Sequence, residues 1–330
     1  MSEKTKVILD VDTGSDDAIA MMLALLCPRL EVLGITTVNG NLPVSNTTEN
    51  TLRVVELLNA QIPVYPGCAA PLVSELLPQR HLRSAPLSVV TNGKTVCYHR
   101  EYLTELPAAT IKPQPRSAVC YLIDTLLASQ EDITIVAVAP LTNLAVAMRA
   151  DPRIVKKIKR LVIMGGGHLQ SNVTSAAEFN FWKDPEAAQI VLQSGCDILL
   201  VPLDATHRAY AGAAESRFLR QLHTPVGDVA ASLLDFSIEA YNAMEPLDCA
   251  PANTAPLHDA LAVCAVIEPQ VLGNMQFRRV DVDFSGGVCD GMAVIDRRMC
   301  TDKPANVHIA LDCDRERFIR LLLDTLASAK

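Results

Sequence analysis

Apolar runs of strand length alternate along the chain with stretches in which apolar residues recur at helical spacing. The run from Val7 reads as a strand, Thr13-Gly14-Ser15 as a tight turn, and Ala18 to Leu26 as a buried helix. Glu31 to Val38 and Ile62 to Tyr65 read as strands around a helix over Val44 to Ala60, whose apolar positions include Val44, Leu52, Val55 and Leu58. Further on, helices are predicted over Arg116 to Ser129, from Thr142 to Arg149, from Asp184 to Gly195 and over Val226 to Met244. Another begins at His258, and an amphipathic one covers Arg315 to Leu326. Strands are predicted at Ile133 to Val138, Arg160 to Met164 and Asp197 to Leu203. Gln276 to Phe284 alternates between apolar and polar residues, as a half-exposed antiparallel strand does. This β-α order predicts an α/β fold, an open, mostly parallel sheet with helices on both faces plus antiparallel additions. No repeat or Gly/Ser linker divides the chain, so residues 1–330 are expected to form a single domain. Gly67 to Pro115 carries little pattern and is expected to be a long loop with brief helical turns, placed to cover a site.

Composition narrows the field. Hydrophobic residues make up 49% of the chain and aromatic residues only 4%, so a large, aliphatic core is available. A net charge of −8 disfavours nucleic acid or an anionic membrane as partner. The ten cysteines include no C-x-x-C pair, and no signal-like segment opens the chain. They are expected to be reduced thiols of a cytoplasmic protein. No apolar run is long enough to span a membrane.

The first strand ends in the densest chemistry. Asp10, Asp12, Asp16 and Asp17 fall within eight residues. Asp10 and Asp12 share one side of a strand, whereas Asp16 and Asp17 lie in the first helical turn, where the helix dipole favours anions. Four carboxylates in a partly dry site either take up protons or surround a cation, and oxygen ligands suit a hard ion, Ca²⁺ or Mg²⁺. Open α/β sheets bind their ligands at this end of their strands.

Asp10-x-Asp12-x-Gly14-x-Asp16-Asp17 resembles the D-x-D-x-G-x-D-D signature of the nucleoside hydrolases. Further matches run from about Lys6 to about Glu268. Ile35 to Asn41 resembles the family's second strand and turn. Ala139-Pro140-Leu141-Thr142-Asn143 is similar to G-P-L-T-N, and Ala177-Glu178-Phe179-Asn180 to Asp184-Pro185-Glu186-Ala187-Ala188 is similar to A-E-F-N-x-x-x-D-P-E-A-A. The resemblance implies a Ca²⁺ site made by Asp12, Asp17, the Val138 carbonyl and Asp259, with Asp10 steadying its neighbours. It implies that Asp16, Asn41, Glu178 and Asn180 hold ribose hydroxyls, that Asn172 holds the 5′ end, and that His258 lies near the leaving base. Asp12 is the expected general base and His258 the expected proton donor. Thr142 is expected to be an ordinary helix N-cap, the three glycines a turn that lets backbone approach a ligand, and Trp182 a core residue. Two regions depart from inosine-uridine members of the family. Arg80 to Pro86 lacks the second His and the glycines of H-x-H-G-x-x-G, and a helix that often bears two Tyr has Ser237 and Tyr241.

The activity these residues imply is hydrolysis of the N-glycosidic bond of ribonucleosides. Purine nucleosides such as inosine and guanosine are the expected substrates, in nucleoside salvage or catabolism, and the enzyme is expected to be a homodimer or homotetramer. Two other readings are a Mg²⁺-dependent phosphatase, on the strength of Asp10-x-Asp12, and a non-catalytic nucleoside-binding protein. The first requires Thr or Val where Gly14 stands; the second is expected to lack a carboxylate ligand.

Overall fold

The computed structural model describes residues 4–73, 76–77, 80, 88–91, 94–244 and 250–329. Its strands, in chain order, are β1 (Thr5–Val11), β2 (Leu30–Thr37), β3 (Val64–Pro66), β4 (Ser88–Thr91), β5 (Lys94–Cys97), β6 (Ile133–Ala137) and β7 (Ile158–Met164). They continue with β8 (Ile198–Val201), β9 (Tyr210–Gly212), β10 (Thr254–Pro256), β11 (Leu272–Arg278), β12 (Val280–Val282), β13 (Ala293–Ile295) and β14 (Val307–Cys313). Eight of them form one sheet in the order β11-β14-β8-β7-β6-β1-β2-β3. Every neighbouring pair in it is parallel except β11 with β14.

The central strands are apolar on both sides, because helices cover both faces of a parallel sheet. Val7, Leu9 and Val11 of β1 face one apolar cluster with the helices Ser15–Leu26 and His258–Ile267. Ile8 faces the other cluster, with the helices Ala118–Ala128 and Thr142–Ala150. Strand order reverses around β1: chain order runs outward to β2 and β3 on one side, and to β6, β7 and β8 on the other. That switch point opens a crevice beyond the carboxyl end of β1, where Asp10 and Asp12 stand.

Several expectations need correction. The segment expected as loop between Gly67 and Pro115 contains the β4–β5 hairpin, and His81 to Pro86 lie outside the described residues. The alternating run from Gln276 is two strands, not one, because the chain changes partner at Arg279. β11 pairs with β14, whereas β12 pairs with β13. Strand β14 was not anticipated, although Val307, Ile309 and Leu311 alternate along it as in a strand. Thr142 opens its helix at the first helical position, with Leu141 before it as cap, and its hydroxyl donates to Asp184 Oδ2 at 2.7 Å. A short helix that the pattern did not predict, Phe179–Lys183, begins after Glu178, which is its N-cap. Among the described residues, no helix is long and apolar enough to cross a membrane.

Candidate active site

The β1 turn folds its acids inward by giving them backbone donors. Asp17 accepts from Asp12 N at 3.1 Å and from Gly14 N at 2.9 Å. Asp12 Oδ2 accepts from Asn41 N at 2.6 Å, and a Cβ on Gly40 would stand 1.9 Å from that same oxygen, so only glycine fits there. Asp10 accepts from Thr36 Oγ1 at 2.6 Å and from Asn143 Nδ2 at 2.8 Å. Asp259 arrives from a distant part of the sequence, on the first turn of His258–Ile267, which packs beside Ser15–Leu26.

Ligand oxygens of Asp16, Asp17 and Asp259 all lie within 4.8 Å of one another. Asp12 is buried beside them, and its Oδ1 has no hydrogen-bond partner. Burial, with the Asp17 charge next in size, pushes the Asp12 carboxyl well above its usual range. Burial and Asp16 raise Asp17 to about 7. Asp259 is likewise raised well above the usual range by burial and then by Asp16. Burial raises Asp10 to about 6, against the opposing hydrogen bonds from Thr36 and Asn143. Acids forced together in a dry site and short of donors suit a hard divalent cation, and the orphaned Asp12 oxygen is the observation that fits one. The Val138 carbonyl lies on the same cleft, where it accepts from Asn180 Nδ2 at 3.0 Å.

Across the cleft, Glu178 is held by three backbone donors: Gly166 N, Asn180 N and Phe181 N. Burial raises its carboxyl to about 7. Asn172 accepts from Phe179 N at 2.9 Å and lines the cleft with Asp16, Asn41 and Asn180. The turn at Gly165 and Gly166 serves this arrangement rather than a direct approach to ligand. Gly166 has φ +67°, and Cβ atoms on the two glycines would stand 2.6 and 2.9 Å from the Phe181 ring. Trp182 is half-buried and not among the residues lining the cleft.

The other end of the cleft is made by side chains from remote segments. Tyr241 and Ser237 reach it from the helix Pro225–Met244, and Tyr98 and His99 from the chain just after β5. His258 has a partner on each ring nitrogen, Thr206 Oγ1 on Nδ1 and the Tyr241 hydroxyl on Nε2, both at 2.7 Å. Burial, aided by His207, holds its imidazole well below the usual pKa, so the ring is neutral. Burial raises the Tyr241 phenol well above its usual range, so it keeps its proton. His99 fits against Gly14, where a Cβ would stand 2.1 Å from its Nδ1, and that nitrogen accepts from Ser15 N at 3.4 Å.

The structure thus gathers Asp10, Asp12, Asp16, Asp17, Asn41, Val138, Asn172, Glu178, Asn180, His258 and Asp259 around one cleft. Sequence reasoning missed Tyr98, His99 and Thr206. Of the two regions that depart from inosine-uridine members, Ser237 and Tyr241 line the cleft, whereas Arg80 is fully buried, paired with Glu186 and Asp290. A Tyr-His pair following a strand was the one available signal for Tyr98 and His99; Thr206 offered none.

A parallel sheet with an acid cage at its switch point, facing carboxylate and amide groups across an open cleft, is the framework of a sugar-bond hydrolase. The sequence model of the inosine-uridine preferring nucleoside hydrolases matches residues 7–320. The pyrimidine-specific ribonucleoside hydrolase RihA of Enterobacter sp. (strain 638) is 37% identical over 322 residues, 97% of each chain. A purine-preferring ribonucleoside hydrolase from Gardnerella vaginalis superposes with a TM-score of 0.84 at 28% identity, over 98% of each chain. A plant nucleoside hydrolase does so with a TM-score of 0.83 at 29% identity, over 98% of this chain and 99% of its own. The chain belongs to the inosine-uridine preferring nucleoside hydrolase family and is a ribonucleoside hydrolase, an N-glycosyl hydrolase. Neither a phosphatase nor a non-catalytic binder remains as a reading.

Proposed function

We propose that this enzyme cleaves pyrimidine ribonucleosides, uridine and cytidine, to free base and ribose with a bound Ca²⁺. The observation that carries the hydrolytic part of the reading is one cleft that holds both an acid cage and the Tyr241–His258–Thr206 chain. Asp12, Asp17, Asp259 and the Val138 carbonyl would hold the ion. When bound, it supplies a Lewis acid that lowers the pKa of a water. Asp12, with a free buried oxygen, takes a proton from that nucleophile. Asp16, Asn41, Glu178 and Asn180 grip ribose hydroxyls, and Asn172 the 5′ end. Their negative and amide oxygens favour the positive charge that builds on the sugar as the bond breaks.

At the other end, His258 serves the leaving base through Tyr241. A neutral ring with both nitrogens occupied has no proton aimed at the base, whereas the Tyr241 hydroxyl lines the cleft. The phenol donates to the base as charge develops there, and His258 behind it supports that transfer.

The preference for purines expected from His258 gains no support from this arrangement, because the ring faces Thr206 and Tyr241 and reads no atom particular to a purine. The 37%-identical relative is pyrimidine-specific, and that likeness is what favours uridine and cytidine. Release of free base from uridine, cytidine, inosine and guanosine, with and without chelator, tests the reading. Higher kcat/KM on the two pyrimidines, lost on chelation and restored by Ca²⁺, is expected. Faster inosine cleavage, or activity indifferent to chelator, would overturn it.

A further inference from the structure

A second cavity lies beyond the carboxyl ends of β7 and β8 and shares no lining residue with the catalytic cleft. Alternation along β11 puts Asn274, Gln276 and Arg278 on one face, and all three line the cavity. Arg208 and Arg297 enter from two other segments, and Ile309, Leu311, Leu169 and Ile295 give it apolar walls. Three arginines therefore line one cavity in a chain whose net charge is −8.

The acid supply there is short. Among the described residues, Asp204 is the one carboxylate lining the cavity, and its two oxygens already accept from His168 N at 2.6 Å and Leu169 N at 2.9 Å. Arg208 leans on Asp312 at 3.4 Å. Among the described residues, Arg278 donates only to its neighbour's carbonyl, Phe277 O, and to Met299 Sδ, and Arg297 has no carboxylate partner. Arginines supplied by three segments, each carrying a planar guanidinium fork, match an oxyanion with several acceptor faces better than a single carboxylate, which one fork satisfies. The amides of Asn274 and Gln276 add neutral donors, and the apolar walls accommodate a carbon skeleton.

We propose that this cavity binds the phosphate group of a small anion. The cavity also adjoins the catalytic cleft: His168, Leu169 and Gln170 line it, and the same stretch continues to Asn172, which lines the cleft. A bound phosphate therefore restrains the segment that places Asn172.

Thermal shift and calorimetry with inorganic phosphate and with ribose 5-phosphate, in the metal-loaded enzyme, test the site, with NaCl at matched ionic strength as control. Saturable binding is expected, weakened about tenfold by Arg278→Gln or Arg297→Gln and abolished in the double variant. A stronger response to ribose 5-phosphate identifies a sugar phosphate as the ligand, and an equal one identifies free phosphate. Equal responses in wild type and double variant, or a response reproduced by NaCl, overturn the proposal. Both arginines stand outside the catalytic machinery, so the double variant cleaves uridine at the wild-type rate with phosphate absent. Loss of the phosphate site therefore reads separately from any failure of the nucleoside assignment.

Discussion

The two ends of the catalytic cleft are built by different means. The acid end is largely one continuous turn, Asp10 to Asp17, in which backbone N–H donors of Asp12, Gly14 and Asn41 fix Asp17 and Asp12, while side chains of Thr36 and Asn143 hold Asp10. The base end is assembled from residues of remote segments, Tyr98, His99, Ser237, Tyr241 and His258, with side-chain contacts of Tyr241 to His258 and Tyr98, and with His99 resting on the backbone of Gly14 and Ser15. A backbone donor is present whatever side chain its residue carries, so the hold on Asp12 and Asp17 does not rest on the identity of the donor side chains. Side-chain contacts between remote segments can be exchanged one at a time, so the base end is where substrate choice can drift while sugar chemistry stays.

The largest effect should come from the acid end. Asp12→Ala removes a general base and a metal ligand together and is expected to lower kcat on uridine by ~10³-fold or more. A variant retaining a tenth of wild-type kcat would break the contrast between the ends. The metal-free protein gives an independent measure. Asp17 and Glu178 rise to about 7, above their usual values near 4, so the folded form holds protons more tightly than the unfolded one. Their contribution to stability is complete below the unfolded values and is lost as pH climbs through about 7. Chelated protein should therefore melt lower at pH 8 than at pH 5, by roughly 5 °C. Saturating Ca²⁺ should flatten that slope by stabilising the charged acids. A melting point that rises across this range without metal would contradict the account.

Next comes the leaving group. His258→Ala and Tyr241→Phe are each expected to lower kcat on the order of 10²-fold, the lower end for a proton-transfer group. Since the two act in one chain of hydrogen bonds, the double variant should fall little further than either single one. Losses that multiply would show two separate roles and sharpen the picture of the base end.

The same contrast explains what the sequence made legible. The acid cluster could be read because neighbours along the chain are neighbours in space: a strand, a glycine turn and a first helical turn force Asp10, Asp12, Asp16 and Asp17 together. The sheet could be read because buried parallel strands are unbroken apolar runs such as Ile133-Thr134-Ile135-Val136-Ala137. Strand β14, Val307-His308-Ile309-Ala310-Leu311-Asp312-Cys313, is not such a run: its apolar residues alternate with His308 and Asp312, and it escaped. His99 escaped for a different reason. Its role depends on Gly14, 85 positions earlier, having no side chain, and no local spacing encodes that pairing. Asp259 and Glu178 lie farther still along the chain from the first turn. They were found through a resemblance in their surrounding motifs, not through any periodicity.

The smallest expected effect probes how the base end is held together. Arg100, next to His99, sits over the Phe236 ring with its guanidinium 4.2 Å from the ring centre, and it pairs with Glu105. Phe236 lies on the helix that carries Ser237 and Tyr241 into the cleft, so this contact clamps one wall of the base end to the other. A cation on an exposed aromatic face contributes about 0.5–1 kcal/mol. Phe236→Leu keeps an apolar side chain but removes the ring. KM for uridine should rise about two- to fivefold, the factor that such an energy gives, with kcat nearly unchanged. Phe236→Trp, which offers a stronger face to the cation, should restore KM. A loss of kcat equal to the rise in KM, or a Trp variant no better than Leu, would mean that the two walls are set independently and that base-end geometry is not governed by this clamp.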